Sequence, residues 1–280
     1  MIRAVRFFEE IRRGSSLPVL VGGDDGNKYV VKLNGAGDGV LANAVEFVTS
    51  KLAGLLEIPV LPTVLLELDE RFGENARDQE TVELVTKSAG INLGTLYLDG
   101  ALVFTEQNAR GLDDSLKRRI FFFDLFVLDV DRSHKNPNML WHRETFWSLD
   151  YSSAMDIRSA ITGTAFKEHV LLKQLKRHPF YNDHLSPYAF IKKLASVPDR
   201  SILEIVEALP ESWLSALQLE KNLDVTKAMI AERLLRKKSS GMALRDRLDL
   251  LRVLKLETEA ELESRALENK RAFEMKYGKL

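Results

Sequence analysis

Apolar and polar positions change rhythm along the chain, and the changes predict where strands give way to helices. Two short apolar runs, 17–21 and 29–33, flank Gly22-Gly23-Asp24-Asp25-Gly26-Asn27. Glycine, aspartate and asparagine tolerate the positive φ of tight turns, so this segment predicts a β-hairpin. The glycine-rich stretch 34–39 lacks the lysine and hydroxyl of a Walker loop and reads as a flexible connection. Over 40–56 apolar residues recur at helical spacing, with Leu41, Val45, Val48, Leu52 and Leu55 on one side. The helix should stop before Ile58-Pro59, because a residue preceding proline is pushed out of the helical region. Residues 63–68, rich in β-branched and aliphatic side chains, predict a strand. Residues 69–81 are polar and predict a loop, and 80–88 predict a further strand leading into Ala89-Gly90-Ile91-Asn92-Leu93-Gly94.

Past that point the chain changes character. The stretch 116–130 is apolar with helical spacing and carries Phe121, Phe122, Phe123 and Phe126. It is too rich in phenylalanine for an exposed helix, so it predicts a core. Residues 146–150 predict a short strand. Beyond about 165 the pattern is helical, broken near His178-Pro179, Ser186-Pro187, Pro198, Pro210 and Ser239-Ser240-Gly241. The stretch 241–276 mixes Leu and Val with charged residues and predicts helix packed on this second region. Strands with one helix first, then mostly helices, give an α+β arrangement with a boundary around 94–112.

Composition narrows the function classes. With 45% apolar and 29% charged residues in 280, the chain has an ordinary globular profile. A net charge of −1, from 40 basic and 41 acidic residues, gives no field toward nucleic acid or an anionic membrane. There is no cysteine, which excludes disulfides, thiolate metal sites and cysteine nucleophiles. No stretch approaches the ~20 apolar residues of a membrane span, and the N-terminus lacks a signal-peptide pattern, so a cytoplasmic protein is expected. The 5 histidines show no zinc-binding spacing, and no Gly-x-Ser-x-Gly elbow is present. Lys173, Lys176, Arg177 and His178 read as a basic cluster on a solvated helix face.

Four features carry candidate chemistry. Lys32 ends the apolar run Tyr29-Val30-Val31-Lys32, and Glu46 on the following helix can pair with it. Asp131 is followed five residues on by Asn136, and Asp150 ends the apolar run Phe146-Trp147-Ser148-Leu149. Phosphoryl transfer from ATP uses this set: a lysine held by a glutamate, an aspartate beside the acceptor hydroxyl, and an asparagine with a second aspartate for magnesium. Magnesium takes hard oxygen ligands and few of them from protein, which one amide and one carboxylate satisfy.

These residues, with Gly14-Ser15-Ser16-Leu17-Pro18, Ile58-Pro59-Val60-Leu61-Pro62, Asn136-Pro137-Asn138-Met139-Leu140 and Trp147-Ser148-Leu149-Asp150, resemble the HipA-like kinase family. The resemblance spans roughly residues 10–156, with a looser echo at 205–214. It implies a bilobal protein-kinase-like fold, with a small β-rich N-lobe over 1–100 and a mostly helical C-lobe over 101–280. It further implies ATP and Mg2+ as cofactors, with Lys32 on the ATP phosphates, Glu46 as its partner and Asp131 as catalytic base. Asn136 and Asp150 become metal ligands, with Asn138 in reserve, and Ser15 and Ser16 could cradle phosphates through their backbone. The implied acceptor is a serine or threonine of a protein or of the chain itself. One departure stands out: Tyr151-Ser152 follows Asp150 where relatives usually carry glycine. That departure supports a second reading, a pseudokinase-type scaffold; a small-molecule kinase on the same fold is a third.

Overall fold

A computed structural model of the chain describes residues 1–11, 17–76, 78–220 and 222–255. It begins with β1 (Ile2–Glu10), β2 (Val19–Gly23) and β3 (Lys28–Lys32). The β2–β3 hairpin is the predicted one, in register from Val19 opposite Val31 to Gly22 opposite Lys28. Its turn uses Gly26 at φ +83°, and the Asp25 carboxylate accepts hydrogen bonds from Asn27 and from the Tyr29 hydroxyl. Next come α1 (Gly39–Leu55), β4 (Thr63–Leu68), a 3-10 turn (Phe72–Asn75), α2 (Gln79–Lys87) and β5 (Gly90–Leu96). The strands close into a barrel in the order β1-β2-β3-β5-β4, with β1 returning to pair in parallel with β4. Val19, Val21, Tyr29, Val31, Leu66 and Leu68 form its buried core.

The structure differs from the sequence pattern at several places. Strand β1 is not signalled by the pattern; its half-buried positions follow no clean alternation, because its register against β2 shifts twice. The strand expected over 80–88 is the helix α2, and the loop expected over 69–81 holds the 3-10 turn and the start of that helix. The Asp78 carboxylate accepts the Thr81 N–H at 3.2 Å and caps the helix, and Thr81 and Val85, four apart, are its buried positions. Cap and burial together override the β-branched composition. The glycine-rich connection is tightly tied. Asn34 bonds to Asn92, Ile91 and Asn43, and the Gly35 N–H to Ser88 Oγ. Gly39 sits at φ +55°, where a Cβ would lie 2.5 Å from the Asn34 carbonyl, so the entry to α1 requires glycine.

The remainder is mostly helical: β6 (Leu102–Val103), α3 (Glu106–Ala109), α4 (Asp114–Val127), β7 (Met139–His142), β8 (Thr145–Ser148), α5 (Met155–Thr162), α6 (Glu168–Leu172) and a 3-10 turn (Lys173–Arg177). Then follow α7 (Tyr188–Ser196), α8 (Asp199–Glu207), α9 (Glu211–Leu217), α10 (Leu223–Ser239) and α11 (Gly241–Val253). Strands β6, β7 and β8 form a small antiparallel sheet. Helix α4 is capped by Asp113, and the phenylalanines it was predicted to bury lie within a large helical core. The helical stretch expected over 241–276 is described as far as residue 255; the rest lies outside the described residues.

Helix α1 joins the two regions. Ala44, Val45, Phe47, Val48 and Leu52 belong to the helical core and not to the barrel core. Phe47 meets Trp213 edge-on at 6.3 Å, and the Trp213 indole N–H donates to the β5 carbonyl of Ile91 at 2.7 Å. The helix carrying Glu46 is thereby fixed from both sides. Among the described residues no helix is long and apolar enough to cross a membrane.

Candidate active site

Strand β3 ends at Lys32, whose backbone pairs with Leu93 of β5 and whose carbonyl accepts from the Asn43 amide at 2.9 Å. The Asn43 side chain thus ties α1 to the strand end beside the Lys32–Glu46 pair. Glu46 lies on the inner face of α1, 1% exposed, and its Oε2 is 3.0 Å from Lys32 Nζ. Asp150 follows β8 at φ +57°, and its Oδ1 lies 2.6 Å from the same ammonium and 2.8 Å from Ser152 Oγ. Burial alone would lower the lysine pKa, yet Glu46 and Asp150 outweigh it and raise the value above the ordinary range. Burial also opposes ionisation of Asp150, but the charge and hydrogen bond of Lys32 hold its carboxyl below its usual value. Burial raises Glu46 against the pull of Lys32.

The loop carrying Asp131 leaves α4 through Leu128 in the left-handed region, φ +53°. Asp129 then bridges to Ala154, which brings the start of the loop beside the segment after Asp150. Ser133 and Asn136 close a turn through Ser133 N–H to the Asn136 carbonyl at 2.9 Å and Asn136 N–H to Ser133 Oγ at 3.1 Å. Both candidate asparagines come out on Asp131: the Asn136 amide donates to Asp131 Oδ2 at 2.8 Å and the Asn138 amide to the same oxygen at 3.2 Å. Asn138 takes φ +48°, and its carbonyl accepts from Leu149 N–H at 3.1 Å, next to Asp150. His134 is exposed on this loop.

Lys32, Glu46, Asp131, Asn136, Asn138 and Asp150 all line one cleft of about 1210 Å³ between the barrel and the helical region. Val30, Leu61, Leu96, Leu98, Leu140 and Leu149 give the cleft apolar lining as well. Arg158, also on the cleft lining, pairs with Asp38 of the glycine-rich connection. Ser15 and Ser16 lie outside the described residues.

Sequence reasoning missed what lies beneath the loop. Arg132 is fully buried and bonds Asp124, the carbonyls of Pro137 and Asn138, and Ser148. His178, read from sequence as part of a solvated basic face, is 1% exposed and faces Asp124 at 3.0 Å. Tyr151 is also buried: its hydroxyl is 2.5 Å from Ser148 Oγ, and its ring lies under Arg132 and edge-on to Phe123. The Asp131-Arg132 pair was a visible signal, since an arginine inside a polar loop either faces water or needs a buried acid.

A family model described as HipA-like kinase matches residues 4–242. The chain belongs to the HipA-like kinase family. It is a kinase-type phosphotransferase. No curated protein matches the chain. Among solved structures this HipA-like kinase is similar to CtkA, a proinflammatory kinase of Helicobacter pylori, with a TM-score of 0.51 and 10% identity over 90% of this chain and 97% of that one. At such low identity the likeness concerns fold alone, a kinase-like α+β fold. The Golgi casein kinase gives a TM-score of 0.46 and 12% identity over 88% of this chain and 73% of that one. Its crystal structure with Mn/ADP bound gives 0.45 and 12%, over 90% and 74%.

Proposed function

We propose that this kinase transfers the γ-phosphoryl group of ATP, with magnesium, to a serine or threonine hydroxyl of a protein or of the chain itself. The observation that carries the reading is convergence. A lysine–glutamate pair, a carboxylate just past β8 and an aspartate ringed by two amides meet in a single cleft. In this reading the barrel region, residues 1–100, and the helical region, residues 101–280, act as two lobes across the cleft. The apolar part of the lining suits a flat purine, and the charged part suits its phosphates.

The donor set fits magnesium. Among the described residues no three histidine or carboxylate side chains gather as a metal site. Here one carboxylate and amide oxygens are on offer, and magnesium completes such a set with water and phosphate. The Asn136 and Asn138 amides turn their N–H groups toward Asp131, which leaves their oxygens as hard donors. Asn136 and Asp150 are the assigned ligands, with Asn138 in reserve. Held by Asn136 and Asp150, magnesium would supply positive charge against the charge developing on the phosphates.

The chain's own groups do the rest. Lys32, held by Glu46, neutralises the phosphates nearest the barrel. Asp131 accepts a hydrogen bond from the acceptor hydroxyl and orients its oxygen at phosphorus. As the new O–P bond forms, the bond from phosphorus to the bridging oxygen breaks, ADP leaves and the hydroxyl proton passes to Asp131. The two amides on Asp131 hold its carboxylate in one orientation for that task.

The rival reading, a pseudokinase-type scaffold, draws on Tyr151 in place of glycine. The backbone reduces its force. The positive φ falls on Asp150, while Tyr151 needs no glycine-like conformation and packs as a buried anchor. A cytoplasmic setting, where ATP and magnesium are supplied, goes with the first reading. The test is labelled transfer from ATP into protein, self and small-molecule pools, beside thermal shift with Mg–ATP. Label in protein or self supports the proposal, label only in small molecules selects a small-molecule kinase, and a thermal shift without any transfer selects the scaffold.

A further inference from the structure

The roles above leave a buried polar chain beneath the catalytic loop unused. It runs from His178, through Asp124 on α4, to Arg132. Arg132 Nε donates to Asp124 Oδ2 at 2.5 Å, one terminal nitrogen donates to the carbonyls of Pro137 and Asn138 at 2.8 and 2.7 Å, and the other to Ser148 Oγ at 3.2 Å. A guanidinium is a rigid planar fork, so fixing Nε fixes where its other donors point. Those donors hold the backbone that presents Asn138 and the end of β8, two residues before Asp150.

What fixes Nε is Asp124. Among the described residues its Oδ1 has no hydrogen-bond partner, so Oδ2 carries the connection. That oxygen receives both Arg132 Nε and His178 Nε2. On the far side, His178 Nδ1 is 3.0 Å from the Phe180 N–H and can only be its acceptor. The proton therefore sits on Nε2, and the neutral ring donates to Asp124. Phe121 and Phe180 hold the ring at 5.3 and 5.6 Å. Burial lowers the pKa of His178, which agrees with a neutral donor.

We propose that His178 and Asp124 are positioning residues for phosphoryl transfer: the imidazole N–H locks the Asp124 carboxylate, which orients Arg132, which sets the Pro137-Asn138 backbone and the Asp150 strand end against Asp131. The proposal rests on the reading of Asp131 as catalytic. With the imidazole N–H gone, Asp124 keeps a single bond on one oxygen and is free to rotate. An unsatisfied buried carboxylate then moves toward whatever donor it can reach, and Arg132 moves with it.

Two amide replacements separate the bonds. A glutamine amide reaches the position of His178 Nε2 and can donate to Asp124, whereas an asparagine amide reaches only the Nδ1 side and the Phe180 N–H. Full-length His178→Gln and His178→Asn are compared with wild type and Asp131→Ala by ATP turnover with Mg–ATP, half-saturating ATP and melting temperature. The expected result is turnover within about fivefold of wild type for His178→Gln. For His178→Asn the expectation is a loss of roughly a hundredfold at saturating ATP, with half-saturation moved less than about threefold. Equal turnover in the two variants, both high or both low, overturns the positioning role. If Asp131→Ala also turns over as wild type, the catalytic assignment itself has failed, which separates the two failures. Independently of any variant folding, ¹⁵N shifts of the wild-type His178 ring should show a neutral Nε2–H tautomer at pH 7; a neutral Nδ1–H or charged ring overturns the proposal.

Discussion

Lys32 Nζ lies closer to Asp150 Oδ1, at 2.6 Å, than to its α1 partner Glu46 Oε2, at 3.0 Å. One ammonium therefore ties the barrel to the loop after β8 as well as to α1. A divalent ion on Asp150 has to compete with it, and phosphate oxygens offer the lysine a new partner when that happens. Nucleotide and metal are expected to bind together better than either binds alone. Isothermal titration of Mg2+ with and without ADP measures this, and strong Mg2+ binding without nucleotide would contradict it.

Removing Lys32 strands a buried acid. Lys32→Ala is expected to cost about 3–5 kcal/mol of stability, because Glu46 loses its counter-charge inside the protein. Lys32→Ala combined with Glu46→Gln should recover most of that stability without recovering phosphate transfer. Denaturant unfolding of the single and double variants reads the first effect, and ATP turnover reads the second.

Tyr151 should behave as an anchor and not as a lesion. Tyr151→Phe removes the hydroxyl contact with Ser148 and is expected to cost about 1 kcal/mol with turnover retained. Tyr151→Gly empties a fully buried aromatic site and should cost at least about 3 kcal/mol. A Tyr151→Gly protein that is as stable as wild type and more active would refute this account of the loop.

Acid should loosen the His178 network. The unfolded imidazole takes a proton near pH 6.5, while burial, helped by the Arg132 charge and opposed by Asp124, makes the folded ring resist until lower pH. Between those values the unfolded state binds more protons, so stability rises with pH there and is lost as pH falls below about 6.5. The stability difference between wild type and His178→Gln should therefore vary with pH in that window. A constant difference across pH 5–7 would mean that His178 does not titrate with folding.

The two amides on Asp131 are separable by metal demand. Asn136→Ala should raise the Mg2+ concentration needed for half-maximal turnover roughly tenfold or more, while Asn138→Ala, the reserve ligand, should raise it less. Magnesium titration of the two variants decides between them, and the reverse order would reassign the ligand to Asn138.

Much of the architecture was legible where local signals agreed. The Gly/Asp/Asn turn between two apolar runs specified the hairpin, the 3.6-residue spacing over 40–56 gave α1 and its stop before Pro59, and the phenylalanines of α4 announced a core. The helix α2 was illegible because Val82, Val85 and Thr86 favour strand locally, and only the Asp78 cap and the shared burial of Thr81 and Val85 decide otherwise. The candidate site residues were visible as residue types in order. Their meeting in one cleft depends on the barrel and on α1 reaching into the helical core, neither of which spacing reveals. The partners of Arg132 were out of reach for a simpler reason. His178 lies 54 residues beyond Asp124, among lysines that look like a solvated face, and only packing shows that its ring turns inward.

The central claim is that Asp131 performs phosphoryl transfer in a cleft that binds Mg–ATP. The most direct measurement is label transfer from ATP by the Asp131→Ala protein, alongside its Mg–ATP affinity and melting temperature. Transfer should fall at least about a thousandfold, with affinity and melting close to wild type. Transfer at the wild-type rate by a folded Asp131→Ala protein would contradict it.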